Sequence, residues 1–464
     1  MPAAPTANVL TAEPGSTNQH FAFDVAFPVY SVQFAQDHLV VLAGGGGSSR
    51  TGVKNRLSMY RILPTAKQLA LVTEHELSKQ EDAPMTIAIH RPSKTIAAGI
   101  NSDLETLKQG TNHNLRMFRY DQDDLLDHSP DSPPQLPLDN LITFEQRKQT
   151  LKSLDPDHYQ KVTTFSRPRN PLTAPLLALG STASQLSLVS LPNLNDVMSK
   201  GPLSRENDTT RQYEGEEVFD VDFNDQGDML VGTSSTKLCV WSTTPNDLAR
   251  TKDKREPEED DEEPLQVIER PVLKKELACT FRAAKFGRQG TASNLYTVVN
   301  ATPSSTGGGG GGKKRKRSDA NKNKKSFVSL WDTNLWKLNK TRTVGMKPIT
   351  SFDVSEDGTL LAYGSSDLSI GILDATTLRP IMTILKAHDF PSTCLKFNPN
   401  GTLLVSGSAD NSFRVIVVPG VDQRGGESKM TIVWITVFVL LLAILVQQGY
   451  ITPETWRIAR GIMN

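Results

Sequence analysis

The chain has 464 residues, 51 basic and 51 acidic side chains that cancel to a formal charge of +0, and three cysteines far apart in sequence. That balance excludes the global positive field by which a protein collects nucleic acid. Three isolated thiols cannot build a disulfide framework or a zinc site, and the length allows one large β domain or two to three ordinary ones.

The first twenty residues, "MPAAPTANVLTAEPGSTNQH", lack the basic start and apolar core of a cleavable signal peptide, and 1–20 reads as a disordered N-terminus. From there a unit recurs: an alternating strand, a turn, a second apolar strand ending in Gly or Ser, then a third strand. The clearest copies are "ITSFDVSEDGTLLAYGSSDLSIGILDATT", "STCLKFNPNGTLLVSGSADNSFRVIVVP" and "VFDVDFNDQGDMLVGTSSTKLCVWSTT". Four weaker copies, beginning with "VYSVQFAQDHLVVLAGGGG", bring the number to seven. Asp-Gly and Asn-Gly in "EDGT" and "PNGT" supply the positive φ that reverses a strand.

These copies resemble the WD-repeat β-propeller, in which each repeat supplies a four-stranded blade. The predicted fold is therefore all-β, a seven-bladed propeller over 21–419. His388 and Asp410, in "KAHDF" and "SAD", match the His–Asp structural pair of such repeats. The last copy runs out of strands near Val418, while "FAFDVAF" (21–27) precedes the first. Assigned as the outer strand of the last blade, that N-terminal strand closes the ring and removes an open edge.

Polar insertions interrupt the ring at about 121–145, 192–215, 243–265 and 301–325, and their composition predicts disorder. "KKRKR" in the last of them could be a nuclear-localisation signal, but it also fits a solvated loop. After a linker at 420–429, "MTIVWITVFVLLLAILV" opens an uncharged stretch over 430–451, close to the roughly 20 residues that span a bilayer. Without a signal peptide, the propeller stays in the cytosol and 452–464 becomes a short lumenal tail.

The stretch "AGGGGSSRTGVKN" (43–55) has no hairpin-turn explanation. A Walker loop needs a lysine where Val53 stands, and no helix follows to receive an anion. Dinucleotide binding requires a βαβ unit that is absent from the pattern. No nucleophile elbow and no histidine pair at metal spacing occurs, which argues against covalent enzymology and a small-molecule substrate. What four glycines offer is closely spaced carbonyls free to turn inward, suited to a large monovalent cation such as K⁺. Composition leaves two readings open, a flexible linker or a cation-braced projection at 51–55.

With the propeller, the C-terminal span and "AGGGGSSRTGVKNRL" together, the chain resembles the endoplasmic-reticulum exchange factors that load GTP onto the Sar-type small GTPase of the COPII pathway. "GINSDLETLKQGTNHNLRMFRYD" (99–121) and "KAHDFPSTCLKFNPNGT" are similar to two further stretches of that family. The resemblance implies a potassium site shaped by Gly44, Gly45, Gly46 and Gly47. It also implies a GTPase-contacting tip of Gly52, Val53 and Asn55, and nucleotide exchange at the ER membrane without covalent chemistry. The expected partners are the GTPase and the bilayer, with no nucleic acid. A membrane-tethered WD-repeat scaffold without exchange activity fits the repeats equally well.

Overall fold

The computed structural model describes residues 9–420 except 49–51, 79, 122–139, 168–173, 201–215, 245–246, 248–263, 274–276 and 304–323; beyond 420 it describes only Leu440 and Gln447. Seven antiparallel sheets follow one another, and neighbouring innermost strands adjoin all the way round. Those innermost strands are Val29–Phe34, Thr86–His90, Gln160–Phe165, Asp220–Phe223, Leu277–Phe286, Ile349–Val354 and Ser392–Phe397. The seven-bladed all-β ring is as the repeats predict.

Each blade packs on both faces, which is why its second strand reads as an unbroken apolar run. Leu39–Gly44, Leu360–Ser365 and Leu403–Ser408 are buried at every position. Their small final residues answer to crowding between blades. A Cβ on Gly407 would lie 2.5 Å from Val29 Cγ1, and one on Gly364 would lie 2.0 Å from Ser392 Oγ. Five innermost strands carry a bulge, four of them near the start, which adds the twist that closes a ring. Buried ion pairs then stitch blade to blade. Asp220 meets Lys285 at 2.6 Å, Asp222 meets Arg288 at 2.7 Å, and Asp353 meets Lys396 at 2.8 Å.

Closure follows the predicted route. His20–Asp24 pairs with Ser412–Val417, Phe23 opposite Phe413, as the fourth strand of blade seven. Phe21, Phe23, Phe27 and Phe413 are all at most 1% exposed, in the cluster that joins blades seven and one. Burying a side chain of this size contributes roughly 1.5–3 kcal/mol.

Three expectations need correction. Val9–Thr11, inside the stretch expected to be disordered, is a strand on the outer edge of blade one, Leu10 opposite Leu69. Ile142–Lys148 and Asn195–Lys200 are the fourth strands of blades two and three, although the sequence reading places the first half of one and the whole of the other in insertions. Their patterns hide this: a fourth strand has solvent on its outer edge, and Ile142–Lys148 is mostly polar. Most of the remaining insertion residues, including the basic and acidic runs, lie outside the described residues. So does the expected span at 430–451 apart from Leu440 and Gln447; among the described residues no helix is long and apolar enough to cross a membrane.

Candidate functional site: a glycine loop locked from beneath

The glycine loop joins Leu39–Gly44 to Arg56–Leu63, the second and third strands of blade one, with Gly44 in register with both Val29 and Arg56. It therefore leaves from the end of the ring at which the innermost strands begin. Its neck is too narrow for side chains. A Cβ on Gly44 would fall 1.9 Å from the Pro28 carbonyl oxygen, and one on Gly45 would fall 2.3 Å from Asn55 Oδ1. Gly45 also has a φ of +145°, a conformation costly for any residue with a Cβ.

Asn55 closes this neck. Its Oδ1 accepts the Gly47 N–H at 2.9 Å, while Nδ2 donates to the Gly47 carbonyl at 3.0 Å and to the Glu81 carbonyl at 2.8 Å. The side chain thus imitates a strand partner for Gly47. Asp82 secures the next residue, its Oδ1 accepting the Ser48 N–H at 3.0 Å and the Ala83 N–H at 2.8 Å. On the outer side Lys54 pairs with Glu76 at 2.6 Å, an exposed contact worth little.

Glu81 and Asp82 belong to the link into blade two, and that link ties the loop to the second motif. Arg116 pairs with Glu81 and donates from Nε to the His113 carbonyl at 3.0 Å. Burial alone would raise the Glu81 carboxyl; the Arg116 hydrogen bond and charge outweigh it and hold the group below its usual range. Beneath lies a buried amide network. Asn112 donates to Asn101 Oδ1 at 3.1 Å, Asn101 to the His158 carbonyl at 2.9 Å, and Asn114 to Gln160 Oε1 at 2.9 Å. The asparagines of "GINSDLETLKQGTNHNLR" are therefore scaffold, and its short helix Leu104–Lys108 is capped by Asp103 and exposes Leu104.

The third motif is structural at its centre. His388 bonds Ser412 Oγ at 2.5 Å through Nδ1 and Ser406 Oγ at 2.8 Å through Nε2. Asp410 reaches it only through Ser412, and accepts the Asp389 and Phe390 N–H groups at 2.6 and 3.0 Å. The predicted His–Asp pair is thus a relay with a serine between. Burial pushes the His388 imidazole down to about 4.

The predicted tip residues separate. Gly52 is exposed, with a φ of +81° and nothing within 4 Å of where a Cβ would stand. Val53 is half-buried against the cluster between blades seven and one. Asn55, only 6% exposed, sits at the base with its carboxamide turned inward, so it is not part of a tip. Of the four glycines expected to shape an ion site, Gly44 is held in the sheet and Gly45 is fixed by its N–H to the Pro28 carbonyl at 3.0 Å. Gly46 and Gly47 are half-buried, and the Gly47 carbonyl keeps a lone pair beyond its bond to Asn55. Among the described residues no cluster of His, Cys, Asp or Glu could hold a metal. The donor set here is backbone carbonyl, which fits a weakly hydrated monovalent cation. The sequence reading missed Glu81 and Asp82, which no motif marks, and gave no role to Arg116 within the 99–121 stretch.

A family model described as "WD domain, G-beta repeat" matches residues 379–416, the outer edge of blade six and three strands of blade seven. SEC12 of Candida glabrata, named a guanine nucleotide-exchange factor, is 23% identical over 92% of this chain and 79% of its own length. SED4 of the same yeast is 23% identical over 88% of this chain, and the chain spans about a third (32%) of SED4. Raptor of Chaetomium thermophilum superposes over 89% of this chain and 30% of its own at a TM-score of 0.54 and 11% identity, a likeness of fold alone. The alignments to SEC12 and SED4 cover 92% and 88% of this chain, so it is similar to these WD-repeat proteins over most of its length.

Proposed function

We propose that this protein is a guanine-nucleotide exchange factor for a Sar-type small GTPase, promoting GDP release and GTP loading at the ER membrane and so starting COPII coat assembly. The observation that supports it most is the glycine loop. The two ends of the loop, at Gly47–Ser48 and at Asn55, are pinned by the buried Asn55 carboxamide and by Asp82, on the face of the ring.

A small GTPase holds its nucleotide through phosphate and Mg²⁺ contacts, with switch loops ordered around them. A protein that binds the opened state better than the loaded one weakens GDP binding, and by reciprocity incoming nucleotide expels it. That task needs shape and no proton transfer. Gly52 and Val53 present the part of the loop that reaches the switch region. Asn55 acts beneath them as a positioning residue, so the ordering cost of the finger is met before the partner arrives.

K⁺ bound by carbonyls of the glycine run would stiffen the finger further, beside the brace that Asn55 already supplies. The apolar stretch 430–451 anchors the chain as a single span with the ring in the cytosol. This confines activation to one membrane and raises the effective concentration of a GTPase that works there.

The test is release of labelled GDP from a Sar-type GTPase, measured with the full chain in K⁺ and again in Na⁺ or Li⁺. Stimulated release that weakens when K⁺ is withdrawn is expected. Binding without release would return the scaffold reading, and indifference to the cation would remove the ion from the loop.

A further inference from the structure

The channel through the ring opens, on the glycine-loop face, into a cavity of about 390 Å³ whose wall includes Tyr30, Tyr159, Lys161, Phe219, Arg282 and Lys285. These residues come from four inner strands or the links just before them, so no contiguous motif records them. Two cations share one ring: Lys161 Nζ lies 4.5 Å and the Arg282 guanidinium 5.4 Å from the Phe219 centroid. Lys161 pairs with Glu217 at 2.5 Å and Lys285 with Asp220 at 2.6 Å. Arg282 has no carboxylate of its own among the described residues. It donates from Nε and Nη2 to a single acceptor, the Thr350 carbonyl, at 3.1 and 2.8 Å, which leaves Nη1 unspent.

Burial comes first and the Arg282 charge second in lowering the Lys161 ammonium, although Glu217 opposes both. The opposite mouth of the channel is matched differently. There Arg91 grips both Glu356 oxygens at 2.6 Å while Arg167 stands 3.8 Å from the same carboxylate. Among the described residues the Tyr30 and Tyr159 hydroxyls have no protein partner, and both rings line the cavity. The negative charge of Asp82, the residue that secures Ser48 of the glycine loop, reaches both of them, so cavity and loop are neighbours.

We infer that this cavity is an oxyanion site, in which Arg282, Lys161 and the two tyrosine hydroxyls receive a compact group with two or more oxygens. A guanidinium with a free edge, next to an ammonium and two hydroxyl donors, matches a carboxylate or a phosphate. Two sources share that chemistry: an acidic side chain of the docked GTPase, which rests on the exchange reading, or a free small anion, which does not.

The test uses the full chain in nanodiscs. Calorimetry follows inorganic phosphate and malonate binding at constant ionic strength, for wild type, for Lys161→Gln/Arg282→Gln, and for Tyr30→Phe/Tyr159→Phe, which leaves every charge in place. Saturable binding to wild type, weakened about tenfold or more by the charge variant and less by the tyrosine variant, is expected, a loss of about 1.4 kcal/mol or more. If GTPase displaces the anion, and the charge variant lowers kcat/KM for GDP release while kcat holds, the source is the partner's side chain. Binding that GTPase does not displace assigns a free anion. Saturable binding by a protein that stimulates no GDP release would sink the exchange reading and leave the site standing. No saturable binding of either anion to wild type, with unchanged kcat/KM in the charge variant, overturns the proposal.

Discussion

Asn55→Ala is the sharpest perturbation of the glycine loop, because one side chain makes three of the bonds that hold its neck. Each such bond contributes about 1 kcal/mol net, so the loss is about 3 kcal/mol, or about 100-fold in the population of the locked loop. The loss is local. Gly44 and Arg56 remain in the blade-one ladder, and the cluster of phenylalanines that closes the ring is untouched. Two measurements follow: hydrogen exchange at the Gly47 amide, which should accelerate by about that factor, and stimulated GDP release, which should fall by a comparable one. The midpoint of global unfolding should barely move. Wild-type GDP release by a variant whose Gly47 amide has lost its protection would refute the reasoning, since the finger would then work unlocked. So would an unprotected Gly47 amide in the wild-type protein.

Other parts of the structure give further predictions. Gly45→Ala places a Cβ 2.3 Å from Asn55 Oδ1 at a φ of +145°; GDP release should be lost while the circular dichroism of the ring is unchanged. Phe23→Ala empties a fully buried site in the closing strand and should cost about 3–5 kcal/mol, read from a urea-unfolding midpoint. His388 is held neutral in the folded state down to about pH 4, whereas an unfolded imidazole takes its proton near 6.5. The unfolded chain therefore binds the extra proton in that window, and stability falls as pH drops from about 6.5 towards 4, by about 3 kcal/mol in all. His388→Gln should flatten that slope in unfolding curves measured across the window.

The seven-bladed ring was legible because each blade repeats the same demand. A second strand buried on both faces is mostly apolar and ends in small residues, and a reversal at Gly358 or Gly401 must adopt a φ near +70°. Closure was legible as well, since a blade lacking its fourth strand at the C-terminus has to find one elsewhere. The edges were not. Val9–Thr11 adds to blade one through backbone pairing that leaves little trace in side-chain pattern, and Ile142–Lys148 alternates poorly because most of it meets solvent.

At the site, composition marked the glycines and the residues after them, but not which way a side chain faces. Asn55 reads as an exposed polar tip in sequence, and only the fold shows its carboxamide spent on Gly47 and Glu81. Glu81, Asp82 and Arg116 lie 26 or more positions downstream of Asn55 and meet the loop only because blade two folds back beside blade one. The cavity with Arg282 and Lys161 is hidden for the same reason: it exists only when distant strands gather round one axis.

The most direct measurement is the rate of GDP release from a Sar-type GTPase in proteoliposomes that carry the full chain, compared with proteoliposomes that carry Asn55→Ala. Release accelerated by the wild-type chain and returned towards the unassisted rate by the variant is the predicted result. Equal rates with wild-type protein, with the variant and with empty vesicles would contradict the assignment of this ring and its locked finger to nucleotide exchange.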